Sequence, residues 1–118
     1  MYVELWTYRE TMSPSTDAIT GFAVEAMDGH IGHIDEASTD VGAGFIVVDT
    51  GPWIFGRKVM IPAGAITHVD LDEEHVMLDL TKSQIKNSPP FDPKKHMTDK
   101  TYRGRLGEYY EPFFRPRA

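Results

Sequence analysis

Turn-forming residues recur so often between residues 21 and 80 that no long helix fits there. Asp28-Gly29, Asp40-Val41-Gly42-Ala43-Gly44, the segment Gly51 to Gly56, Pro62 and Asp72-Glu73-Glu74 cut this part of the chain into short pieces. Glycine tolerates the backbone angles of tight turns, and proline interrupts a ladder because it lacks an N–H. The pieces between them carry the alternation or the short apolar runs of strands. The pattern predicts a mainly β domain and not alternating strands and helices.

Six strands are expected. The first runs from about Gly21 to Met27, where Phe22, Val24 and Ala26 alternate with Ala23 and Glu25. Asp28-Gly29 suits a tight hairpin turn, so His30 to Ala37 should return antiparallel to it. Ile34 and Glu36 share a face there, which predicts that this strand leaves the core near its end. Phe45-Ile46-Val47-Val48-Asp49 is apolar on both faces and belongs at the centre of the sheet. Lys58 to Ile61 follows, ending at Pro62. Ile66 to Leu71 and Val76 to Leu80 should form a hairpin over the acidic turn, with Val69, Leu71, Val76, Leu78 and Leu80 facing inward. Six short strands leave two exposed edges unless the sheet rolls up, so the expected architecture is a small β-barrel.

Thr81 to Lys86 fits one helical turn capped by Thr81 or Ser83, stopped by Ser88-Pro89-Pro90. The barrel then occupies residues 20–91, between an N-terminal extension, 1–19, and a basic, aromatic C-terminal extension, 92–118. Tyr2, Glu4, Trp6 and Tyr8 alternate with Val3, Leu5 and Thr7, a pattern that would add an edge strand. The C-terminal extension is expected to be an extended tail, too aromatic to lie free in solvent and seated on this barrel or on another chain.

A chain of 118 residues suits one domain with one core. It holds no cysteine, which excludes disulfides, thiolate nucleophiles and thiolate metal sites. The longest apolar run, Phe45 to Val48, is far short of the roughly 20 residues that span a bilayer, so no integral membrane segment is expected. With no secretory leader pattern at Met1 to Trp6, a cytoplasmic location is the expectation. The net charge of −6 is unevenly laid out. Residues 1 to 81 hold three basic against fourteen acidic residues, and residues 82 to 118 nine basic against four acidic. The two parts attract each other, within one copy or between two.

Gly21-Phe22-x-Val24, Asp28-Gly29-x-x-Gly32-x-Ile34-Asp35, Phe45-Ile46-Val47-Val48, Val59-x-Ile61-Pro62 and Ser88-Pro89-x-Phe91 together resemble the PRC-barrel family. That family includes the cytoplasmic domain of the photosynthetic reaction centre H subunit and the C-terminal domain of a ribosome maturation factor. The flanks, with Phe91-Asp92-Pro93-x-Lys95-His96 and Tyr109-Tyr110, look like those of short stand-alone bacterial members. The resemblance implies a barrel used for docking, with no enzymatic activity common to the family and no functional residues to transfer.

No catalytic constellation is visible. Asp35-Glu36 and Glu73-Glu74 are adjacent pairs that diverge on a strand, and neither a Gly-x-Ser-x-Gly elbow nor a phosphate-binding glycine loop occurs. No cofactor is implied. His30 and His33 are three apart, and in a regular strand that spacing sends the rings to opposite faces. His68 and His75 can approach across their hairpin near Asp70 and Asp72, but solvated turn residues account for them, and no metal site is expected.

The candidate protein-binding residues are Trp53, Ile54 and Phe55, which either plug a barrel end or present a patch, and Tyr102, Tyr109 and Tyr110. These tyrosines interleave with Arg103, Arg105, Arg115 and Arg117 as in single-strand nucleic-acid binders. The expected function is a non-enzymatic protein-binding or adaptor module that self-associates. An RNA- or ribosome-associated module is the alternative, nucleic acid being opposed by the acidic barrel, and a small enzyme or metal-binding protein is the third.

Overall fold

The computed structural model describes residues 5–8, 16–38, 43–51 and 57–114. Trp53, Ile54 and Phe55 lie outside the described residues, as do Arg115 and Arg117. A short helix α1 (Thr16–Ile19) precedes six strands: β1 (Ala23–Ala26), β2 (Gly29–Ser38), β3 (Phe45–Asp49), β4 (Lys58–Pro62), β5 (Ile66–Asp70) and β6 (His75–Leu78). Three helices follow: α2 (Lys82–Lys86), α3 (Pro93–His96) and α4 (Lys100–Phe114). The strands stand where alternation and β-branched runs place them.

One sheet holds all six, in the order β4-β3-β2-β1-β6-β5. Neighbours are antiparallel except β1 and β6, which run parallel. The two outermost strands, β4 and β5, are joined by only a buried 3-10 turn, Ala63–Ala65. In a flat sheet those strands would stand five spacings apart, about 24 Å. Three connecting residues reach at most about 14 Å even when extended. The sheet therefore curls round its core, and the fold is barrel-like.

The core is continuous from Ile19 to Phe114. Val24, Ile31, Ile46, Ile61, Ile66 and Val76 fill the interior, each fully enclosed. All four apolar residues of β3, Phe45 to Val48, are buried, but β3 is not the central strand: it stands second from the β4 end of the sheet, and the curled sheet covers both of its faces. Thr81 caps α2 in a reciprocal box: Gln84 N donates to Thr81 Oγ1 at 3.2 Å, and Thr81 N donates to Gln84 Oε1 at 2.9 Å.

Several local expectations need correction. The β1–β2 hairpin turns on Met27 and Asp28, with Gly29 already paired to Ala26 at the start of β2. Leu71 does not face inward. Asp70 Oδ1 accepts from the N–H groups of Asp72 and Glu73, both at 3.0 Å, which ends β5 one residue early and leaves Leu71 63 % exposed in the turn. Ile34 and Glu36 do not share a face, because the register shifts between them. Ile34 stays in the core while Asp35 and Glu36 are exposed.

The C-terminal extension is not an extended tail. Residues 100–114 form the longest helix, and Tyr102, Leu106, Tyr110 and Phe114 are its buried residues. They recur every four residues, one face of a helix. Gly104, Gly107 and Pro112 obscured that stripe, since each is unfavourable inside an isolated helix by roughly 1 to 3 kcal/mol. Packing outweighs them here. Leu5–Tyr8 is not a strand either: Gly44 N donates to Trp6 O and Gly64 N to Leu5 O, each at 2.8 Å. Trp6 Nε1 lies 3.3 Å from where a Cβ on Gly107 would stand, so this segment and α4 meet on the barrel.

Candidate binding surfaces

The tyrosines expected to meet a partner serve the domain's own core. Tyr102 and Tyr110 are 1 % and 0 % exposed. Tyr102 stacks on His96 with ring centroids 4.2 Å apart and donates to Pro89 O at 2.9 Å. Tyr109 is half-buried, donates to Gln84 O at 2.7 Å, and packs edge-on against Phe113, which is 43 % exposed. The interleaved aromatic and basic pattern therefore separates in three dimensions. The rings of Tyr102 and Tyr110 turn inward, while the cations between them stay outside.

Burial pushes the phenols of Tyr8 and Tyr102 from the ordinary 10.0 up to about 12, and that of Tyr110 further. Unfolded tyrosines ionise near pH 10, so folding holds these protons more tightly than the unfolded chain does. Their contribution to stability is complete below pH 10 and is lost as pH rises through 12. Urea unfolding should give a constant free energy from pH 7 to 9 and a decline above pH 10, with phenolate absorbance appearing as the chain unfolds. Stability unchanged at pH 11.5 would contradict this.

Tyr110 has one further feature: among the described residues its buried hydroxyl makes no hydrogen bond of good geometry, although the Ser88 side chain lies near enough to influence it. An unsatisfied buried hydroxyl costs about 1–3 kcal/mol, so Tyr110→Phe should leave the melting temperature unchanged or raise it by a few degrees. A clear fall would mean that the hydroxyl has a partner.

Among the described residues two surfaces are candidates for binding. The first is cationic. Lys86, Lys94, Lys95, Lys100 and Arg105 are exposed and Arg103 partly so, across α2, α3 and α4. Among the described residues none of these six pairs with an acidic side chain; the barrel's own ion pair is Lys58 Nζ with Asp35 Oδ2 at 2.7 Å. Arg57 donates to Lys86 O and Ser88 O, at 3.3 Å each, which fastens the end of α2 to the start of β4.

The second is the outer face of β2, β1, β6 and β5. Register sets one row as Asp49, His33, Ala23, His75 and Asp70, and the next as His30, Glu25, Met77 and His68. His30, His33, His68 and Met77 are exposed. His30 and His33 do not point to opposite faces. The β1–β2 register shifts between Val24 and Glu25, so Ile31 is an extra residue on β2, and the two rings touch edge to face at 5.3 Å. The sequence signal for this bulge was Gly32, whose φ of +153° and contact with β3 only glycine accepts. His68 and His75 share the face but stand opposite Met77 and Asp70. Among the described residues no three His, Asp or Glu side chains are arranged to hold a metal ion, and no helix is long and apolar enough to cross a membrane.

No family model matches the sequence. No curated protein matches it either. Eight chains of solved structure do match in fold. One is described as a 16S ribosomal RNA processing protein, RimM, from Pseudomonas aeruginosa, with a TM-score of 0.50 and 16 % identity. The match covers 64 % of this chain and 49 % of that one, so this chain corresponds to about half the length of that protein. At such identity the likeness is one of fold, and it supports a PRC-barrel-like architecture.

Proposed function

We propose that this chain is a non-enzymatic protein-binding module whose cationic helical layer docks on an acidic surface, that of a second copy included. The carrying observation is the six cations on α2 to α4 that, among the described residues, make no ion pair with the acidic barrel on which they sit. The helical layer is held down by apolar side chains, so its charge stays available to a partner. A basic layer meeting the acidic part of another copy is a head-to-tail contact, which builds rings or open chains.

Association should then weaken steeply with salt, because screening shortens the reach of exposed charges to roughly 10 Å at 0.1 M and 3 Å at 1 M. Sedimentation velocity at about 50 mM and 500 mM salt should show oligomers only at the lower concentration. The triple variant Lys94→Glu, Lys95→Glu and Lys100→Glu should remain monomeric in both, with its melting temperature within a few degrees of the parent. Monomer at every concentration would remove self-association from the reading.

An RNA-binding role is the second reading. The same outward cations favour it, as does the likeness in fold to RimM, a ribosomal RNA processing protein. Against it stand the fourteen acidic residues of the first 81 and the burial of Tyr102 and Tyr110, whose rings would otherwise stack on bases. Retention of a labelled single-stranded RNA at about 200 mM salt, lost in the triple variant, would favour RNA over protein.

A further inference from the structure

We propose that His30 and His33 form a two-histidine site for a borderline divalent transition-metal ion such as zinc, with Glu25 orienting His30 from the neighbouring strand. Glu25 stands directly opposite His30 in the β1–β2 ladder, and its Oε2 lies 3.0 Å from His30 Nδ1. An ionised carboxylate can only accept, so Nδ1 carries the hydrogen and the neutral ring keeps its lone pair on Nε2. This carboxylate–imidazole pairing is the usual support of a metal-binding histidine.

The second ring is close enough to share an ion once the edge-to-face contact opens and one of its nitrogens turns towards His30 Nε2. Metal–nitrogen bonds of 2.0–2.1 Å, plus about 1.2 Å from nitrogen to ring centre, put two imidazoles on a tetrahedral ion about 5.2 Å apart. His30 and His33 stand 5.3 Å apart, with planes inclined at 72°. Their backbone is held in the β1–β2 and β2–β3 ladders, and Gly32 between them runs so close to the backbone of Asp49 and Thr50 that a Cβ would not fit. The His30 side chain is 51 % exposed, so an ion can reach it from solvent. The acidic barrel, with Asp49 paired opposite His33, draws cations towards this face.

Two imidazole nitrogens select zinc, copper or nickel over magnesium or calcium, which take oxygen ligands. Two protein ligands leave further positions for water or for a group from a partner. The site does not depend on the protein-binding reading above: it concerns one copy alone, and the experiment below is done on the monomeric triple variant as well as on the parent.

The test is calorimetric titration of the metal-stripped full chain, parent and triple variant alike, with zinc chloride at pH 7.5, followed by imidazole nitrogen NMR. One ion per chain should bind saturably below about 1 mM, shifting the nitrogens of His30 and His33. His33→Ala should weaken binding at least tenfold, and Glu25→Gln by roughly tenfold. His68→Ala should leave it unchanged, and magnesium should not compete. Both histidines are exposed, so the variants should keep the parent's melting temperature without zinc. Absence of saturation, shifts at other histidines, or equal affinity in His33→Ala would overturn the proposal.

Discussion

Gly32→Ala should cost this protein about 3–5 kcal/mol, a fall in melting temperature of roughly 10–20 °C for a domain of this size. A Cβ at Gly32 would stand 2.0 Å from Asp49 O, 2.9 Å from Asp49 C and 3.0 Å from Thr50 Cα. All three are backbone atoms of the adjoining strand and its exit, so no side chain can swing aside. The φ of +153° is itself one that residues with a Cβ rarely adopt. Relief requires β2 and β3 to separate where His33 pairs with Asp49. Gly51→Ala is the comparison: φ is +54° there, but among the described residues a Cβ would meet nothing within 4 Å, so it should cost only about 1–2 kcal/mol. Thermal melts of the two variants separate the clash from the backbone strain. A Gly32→Ala protein melting within about 3 °C of the parent would mean that the strands part easily.

Ending the chain at Pro90 should abolish cooperative folding. The deletion removes Tyr102, Leu106, Tyr110 and Phe114, all buried in the same core as β1 to β6. Each such side chain contributes roughly 1.5–3 kcal/mol by burial, and their sum rivals the 5–15 kcal/mol that stabilises a whole domain. The apolar surface of the barrel that they cover would also be exposed, favouring aggregation. A milder form is Leu106→Ala, which should cost about 2–5 kcal/mol because the side chain is fully enclosed. The readouts are the sharpness of the thermal transition and the yield of soluble monomer. If the shortened chain melted cooperatively within about 5 °C of the parent, α4 would be an attachment to the barrel and not part of its core.

Part of the candidate binding surface could be read in advance, and part could not. The separation of charge along the chain is a property of the sequence, and the six outward cations carry it into three dimensions. Tyr102 and Tyr110 illustrate the other case. Composition showed that these aromatics need a surface to cover them, but only the helical i, i+4 geometry of α4 turned them onto the chain's own barrel. The histidine pair was misread for a related reason. The rule that strand residues three apart diverge holds for a regular ladder, and Ile31 makes this ladder irregular.

By itself the sequence determined the number and place of the strands, the burial of both faces of β3, the capped turn of α2 and the imbalance of charge, but not that β3 lies next to the end of the sheet. These depend on alternation, β-branching and turn chemistry, which act between residues near one another in the chain. Only the tertiary structure decided that β1 pairs in parallel with β6, that β2 bulges twice, and that the last helix completes the core. Those outcomes depend on which distant backbone lies alongside. Bulges form where two strands must stay in register while both keep their apolar residues inward. A helix weakened by Gly104, Gly107 and Pro112 forms because the barrel offers its aromatic stripe a surface to bury.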